Sequence, residues 1–228
     1  MNRVFIVLSM VVGAACASPP EVGHAGLVVE APGASGTGFG DPQRAVNGVH
    51  GGGLRAQSLD VYSVPPDSYL VVSWDGRRLI DGPGADLVVF ENPFDYGDTG
   101  DRFMDPAVVE VSTDGEVWTA FPFRYLAERP EEYSPRPADW SGFAGVTPVL
   151  YDDDLGPPDP FGEGAGGDRF DLADLPDGLH DAGVRFVRLS AASGWTNPDI
   201  GEAYPRAAVS DGIDIDGVVG RTLVVDDQ

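Results

Sequence analysis

The residues of this chain best suited to chemistry are carboxylates and side-chain amides at the ends of apolar runs. In GPGADLVVFENPF, residues 82–94, Asp86 precedes four apolar residues and Glu91 and Asn92 follow them. Calcium takes six to eight oxygens from carboxylates, amides and carbonyls, and these residues supply such groups. Five strand residues span about 16 Å, so Asp86 and Glu91 serve opposite ends of one strand and cannot share an ion. Asp86 belongs with the Gly-Pro-Gly turn. Glu91 and Asn92 run on into FDYGDTGDRFMD, which adds Asp95, Asp98, Asp101 and Asp105. A second candidate is DGIDIDG, residues 211–217. Strand alternation puts Ile213 and Ile215 on one face and Asp214 and Asp216 on the other. Two like charges on one face repel unless solvent, Arg or a cation intervenes. The metal candidates are therefore Glu91, Asn92, Asp214 and Asp216, with calcium as the cation. The same acids would serve equally as solvated turn ends or as Arg partners.

Catalytic constellations are weaker. His24, His50 and His180 lack metal-ligand spacing, and neither G-x-S-x-G nor H-E-x-x-H occurs. No carboxylate pair for glycoside hydrolysis stands out among the 37 acids. A non-enzyme is expected, with a polysaccharide hydrolase as the remote alternative. Trp140 in ADWSGF and Trp195 in SGWTNPD lie in predicted loops, where they would either stack on a sugar ring or pin the loop. Trp74 and Trp118 lie in or beside predicted strands and read as core or sheet surface. GGDRFDLADL reads as structural, with Asp171 as a helix cap and Phe170, Leu172 and Leu175 packing, ahead of a ligand role for Asp168 or Asp171. YDDDLG, residues 151–156, reads as a solvated loop.

The charge balance narrows the partners. There are 37 acidic and 14 basic residues, a net charge of −23, and every basic residue is Arg. Such a chain is unsuited to nucleic acid or to an anionic lipid surface, and it favours divalent cations. The N-terminus reads Met-Asn-Arg, then an apolar run to Ala15, then Cys16, the one cysteine. The run is too short to span a bilayer and has the form of a secretory signal. Cleavage before Cys16 would leave a lipidated N-terminal cysteine; cleavage after Ala17 would make an ordinary secreted or periplasmic protein. Gly13 stands where the lipoprotein box usually has Leu. With Ala17 and Ser18 after the cysteine, an outer-membrane or cell-surface lipoprotein is the leading expectation.

The elements that must position these residues are short strands. Runs rich in Val, Ile, Tyr, Phe and Trp fall at 58–64, 69–74, 87–91, 107–112, 119–124, 185–190, 213–218 and 222–225, with a further strand at 27–30. TDGE is a hairpin signal. The best helical stretch is FDLADL, residues 170–175. Many short strands with 31 Gly and 20 Pro predict an all-β antiparallel sandwich with long loops and little helix. The expected plan is a signal over 1–15, a lipid-anchor tether over 16–34 and a sandwich over 35–228. A Pro-rich, acidic and aromatic excursion over 126–167 is expected to pack over one end or face.

Several stretches together resemble a family of bacterial cell-surface proteins and lipoproteins found in myxobacteria and their relatives. They are GFGDP, SLDVYSV, LVVSWDG, DGPGADLVVFENPF, DPAVVEVSTDGEVWTAFPF, GGDRFDLADL and DGIDIDGV, in that order. VEVSTDGEVWTAF is also similar to a hairpin of galactose-binding-like jelly rolls, and IDID to their closing strand, where an Asp often ligates calcium. The resemblance implies a jelly-roll module at the cell surface, stabilised by calcium and binding glycan. The rival is a structural or adhesive envelope component with no small ligand.

Overall fold

The computed structural model describes residues 21–151, 159–176, 178–210 and 212–226. The signal and Cys16 lie outside the described residues, as does most of YDDDLG. In chain order the strands are β1 (Glu21–His24), β2 (Leu27–Glu30), β3 (Tyr62–Val64), β4 (Tyr69–Ser73), β5 (Arg77–Leu79) and β6 (Leu87–Glu91). Next come β7 (Phe94–Asp95), β8 (Arg102–Phe103), β9 (Ala107–Ser112), β10 (Thr119–Ala120), β11 (Arg124–Tyr125) and β12 (Trp140–Ser141). The last are β13 (Asp168–Phe170), β14 (Phe186–Ala191), β15 (Thr196–Asn197), β16 (Glu202–Ala203) and β17 (Ile213–Val225).

Two antiparallel sheets face each other. One runs β1-β17-β6-β13, with β3 and β5 also paired to the long β17; the other runs β10-β9-β14-β4-β2. The core between them draws Leu87, Val89 and Val218 from the first sheet and Val72, Val109 and Leu189 from the second. Each such side chain, fully buried, contributes roughly 1.5–3 kcal/mol. β14 alternates as a one-sided strand should, with Val187, Leu189 and Ala191 inward and Phe186, Arg188 and Ser190 outward. β6 and β9 do not alternate; every residue in them is buried. Their near-continuous apolar sequences match strands covered on both faces.

The cover is the long excursion. Val149, Tyr151 and Ala165 pack on Val88 and Phe90, the outward residues of β6. Trp140, Phe143, Tyr125 and Tyr204 form a second cluster over Val108 of β9. The described parts of 126–167 thus lie over the sandwich as ordered loop.

Three expectations are corrected. Described residues before 35 belong to the sheets and not to a tether, because β1 pairs with β17 and β2 with β4. Residues 213–225 form one strand, because Gly220 packs close and makes no turn: a Cβ there would lie 3.0 Å from Leu223 and 3.1 Å from Trp74. FDLADL is divided between β13 and a single 3₁₀ turn at Leu172–Asp174, with Asp171 accepting the Ala173 N–H as its cap.

Candidate acidic sites at the ends of strand β6

β6 pairs with β17 on one side and β13 on the other, which fixes its two ends in the first sheet. Glu91 follows Leu87 and Val89 in strand parity and so turns toward the space between the sheets. It is 2% exposed. Its Oε1 accepts the Asp214 N–H at 2.9 Å, while its Oε2 is buried with no hydrogen-bond partner among the described residues. Burial, then the charges of Asp105 and Asp214, hold this carboxyl well above the ordinary range; the Asp214 and Asn92 amides oppose the rise. Of the other acids in the following loop, Asp95 pairs with Arg102, Asp98 with Arg55, and Asp101 accepts the Thr99 hydroxyl.

Asn92 is not available to a cation at this end. Its Oδ1 accepts the Ser58 N–H at 2.7 Å and its Nδ2 donates to the Ser58 carbonyl at 3.1 Å. Both ends of the amide therefore pin the segment that leads to β3.

At the opposite end Asp86 is fully buried. Its two oxygens accept the N–H groups of Gly82, at 2.9 Å, and Leu172, at 3.0 Å. The Gly-Pro-Gly turn folds back so that Asp81, Asp86 and Asp171 bring carboxylate oxygens within 4.8 Å of one another, close enough to hold a metal. Burial raises the Asp86 carboxyl to about 6, with Asp81 and Asp171 adding to the rise and the two amides opposing it. The turn sequence hinted at Asp86, but not at Asp81 or at the distant Asp171.

Asp214 and Asp216 do not share an open face. A register shift between Ile215 and Gly217 breaks the alternation on which that expectation rested. Asp214 is partly buried and accepts the Ser63 hydroxyl. Asp216 is fully buried, and its oxygens accept the N–H groups of His50 and Gly51 at 3.0 and 2.6 Å. Asp168, on β13, uses one oxygen for two amides, Val146 at 2.9 Å and Thr147 at 3.2 Å. Burial lifts both carboxyls to about 6 against these hydrogen bonds. Asp86, Asp168 and Asp216 thus each fasten a loop to the first sheet.

The two loop tryptophans pin their loops. Trp140 is 2% exposed, donates to the Ser134 carbonyl at 2.9 Å and lies 4.1 Å from the Tyr125 ring. It offers no open ring face for a sugar. Trp195 is partly buried, donates to the Ser190 hydroxyl at 3.0 Å and meets Phe123 edge-on at 5.7 Å. Above Trp140 the excursion forms an open polar cleft of about 320 Å³, lined by Glu128, Arg129, Glu132, Tyr133, Arg136 and Asp139 among others. The Tyr133 hydroxyl fixes this wall by accepting the Met104 N–H and donating to the Met104 carbonyl.

No protein-family model, no curated protein and no solved structure matches this chain.

Proposed function

We propose that this chain is an exported, non-catalytic β-sandwich module of the cell surface, lipid-anchored through Cys16, that binds glycan in the polar cleft of its long loop. The observation that carries this reading is the cleft itself. Arg129 and Arg136 place hydrogen-bond donors beside the carboxylates of Glu128, Glu132 and Asp139, in about 320 Å³ of open space. Neutral sugar hydroxyls need both donors and acceptors, and such a mixed wall supplies them. Trp140 and Tyr133 hold the wall from beneath, a positioning role in place of direct stacking. The non-catalytic part of the reading draws support from the buried Asp86 and Asp216, whose two oxygens are each spent on loop amides.

A glycan array with the full-length chain tests the proposal. Saccharide signals that fall in Arg129→Ala and Arg136→Ala, with unchanged circular dichroism, are expected. An array without signals favours a structural or adhesive envelope component. Turnover of a polysaccharide would replace both readings with a hydrolase.

A further inference from the structure

Each sheet has an open edge where the chain enters the sandwich. β1 is an edge of the first sheet and β2 an edge of the second, and only Ala25 and Gly26 separate them. Together they expose Val22, Leu27 and Val29, at 50%, 45% and 41%. The turn after β4 lies beside them. Trp74 donates to the Gly23 carbonyl at 3.0 Å, and Trp74, Arg77 and Leu223 are among the residues lining an open depression of about 290 Å³ there. Acids at this end are paired with arginine, Glu21 with Arg77 and Asp226 with Arg78 and Arg185.

Strand register places this edge at the opposite end of the second sheet from the cleft. Leu27 opposes Ser73, Ser73 opposes Phe186 and Phe186 opposes Ser112, so β2 starts where β9 ends. The cleft is built where β9 starts: Tyr133 and Asp101 line it, and the Tyr133 hydroxyl bonds Met104, just ahead of Ala107. The six residues of β9, about 20 Å of strand, separate the two ends. In the sequence, four residues stand between Cys16 and Glu21. A fully extended chain covers at most about 3.6 Å per residue, so Glu21 lies within about 18 Å of Cys16. A lipid on Cys16 therefore holds the β1–β2 edge, and not the cleft, close to the bilayer.

We propose that Val22, Leu27 and Val29 rest in the interface of the bilayer that holds the Cys16 lipid, so that the module stands on its β1–β2 edge with the cleft turned outward. This inference rests on the lipid anchor of the proposed function and adds its orientation. Apolar side chains strengthen membrane attachment in proportion to the area they bury. Neutral lipid is the fitting surface, because a net charge of −23 opposes an anionic one. The same charge opposes a second copy of the chain on this edge. The bulge between Val28 and Glu30 also interrupts the strand pairing that such a copy would use.

The test uses the lipoprotein purified from membranes and returned to phosphatidylcholine vesicles. Its one native thiol, Cys16, is blocked by the lipid, so a single introduced cysteine takes an NBD label. Val22→Cys, Leu27→Cys and Val29→Cys probe the edge. Leu126→Cys, 51% exposed and bonded through its N–H to the Asp139 carbonyl, probes the cleft end. All four sites are exposed, and circular dichroism checks the fold of each variant. Emission from the three edge labels should shift to the blue and be mostly lost when doxyl-labelled lipid is included, while the Leu126→Cys label keeps the emission of water. Cys16→Ser in cell fractionation reads the anchor separately. If Cys16→Ser releases the chain but the edge labels report water, the orientation falls and the anchor stands. If Cys16→Ser leaves the chain on membranes, the anchor falls and the orientation with it. A blue shift without quenching by doxyl lipid assigns the edge to a second copy, and quenching of the Leu126→Cys label as strong as at the edge reverses the orientation; either overturns the proposal.

Discussion

Asp168→Asn should stabilise this protein, and more so as pH rises. Both bonds to the loop, from the Val146 and Thr147 amides, end on the same carboxylate oxygen, Oδ2. An Asn amide oxygen in that place accepts both, so the substitution removes a charge and keeps the acceptor. Burial holds the Asp168 carboxyl at about 6 in place of its ordinary 3.8. The folded state then binds the proton more tightly than the unfolded chain. The penalty is absent below about pH 3.8, grows between about 4 and 6, and is complete above 6. At about 1.36 kcal/mol per decade the full penalty is about 3 kcal/mol. This is an upper bound, because Asp168 is partly exposed. At pH 4.5 the penalty works out at about 1 kcal/mol, so the advantage of Asp168→Asn should grow by about 2 kcal/mol between pH 4.5 and 8. Urea denaturation of both proteins at the two pH values measures this, and the comparison cancels every other titrating group. A difference that does not change with pH, or a variant that loses stability at pH 8, would refute the reasoning.

Other substitutions probe the rest of the account. Trp140→Ala should cost about 3–5 kcal/mol in denaturant unfolding, because it empties the centre of the second aromatic cluster. Arg188→Ala should cost about 3 kcal/mol by leaving Glu110 buried and unpaired, whereas Arg129→Ala, at an exposed ion pair, should change stability by less than about 1 kcal/mol. Cys16→Ser should release the protein from membranes in cell fractionation; retention would remove the lipid anchor.

The fold was legible in the sequence because it rests on local patterns. β6 and β9 fall where the apolar runs at 87–91 and 107–112 place them, and the Asp-Gly turn joins β9 to β10 as its chemistry predicts. The acids were harder. A one-residue bulge turns Asp216 out of alternation, and no periodic rule foresees a bulge. Asn92, Asp168 and Asp216 find their partners 21 or more residues away along the chain, in loops whose paths local sequence does not encode. Glu91 was legible as a candidate because it ends an apolar strand. That its second oxygen lies buried without a donor depends on the Gly145 turn, 54 residues later, closing over it. Trp140 misled for a related reason: its loop sequence reads as exposed, but the rings of Tyr125, Tyr133 and Phe143 enclose it.

The most direct test of the account is calorimetric titration of the full-length protein with saccharides, because the polar cleft lined by Arg129 and Arg136 carries the proposed function. The account predicts saturable saccharide binding that Arg129→Ala and Arg136→Ala weaken at least tenfold with unchanged circular dichroism. Absence of binding, or binding that survives both substitutions, would contradict it.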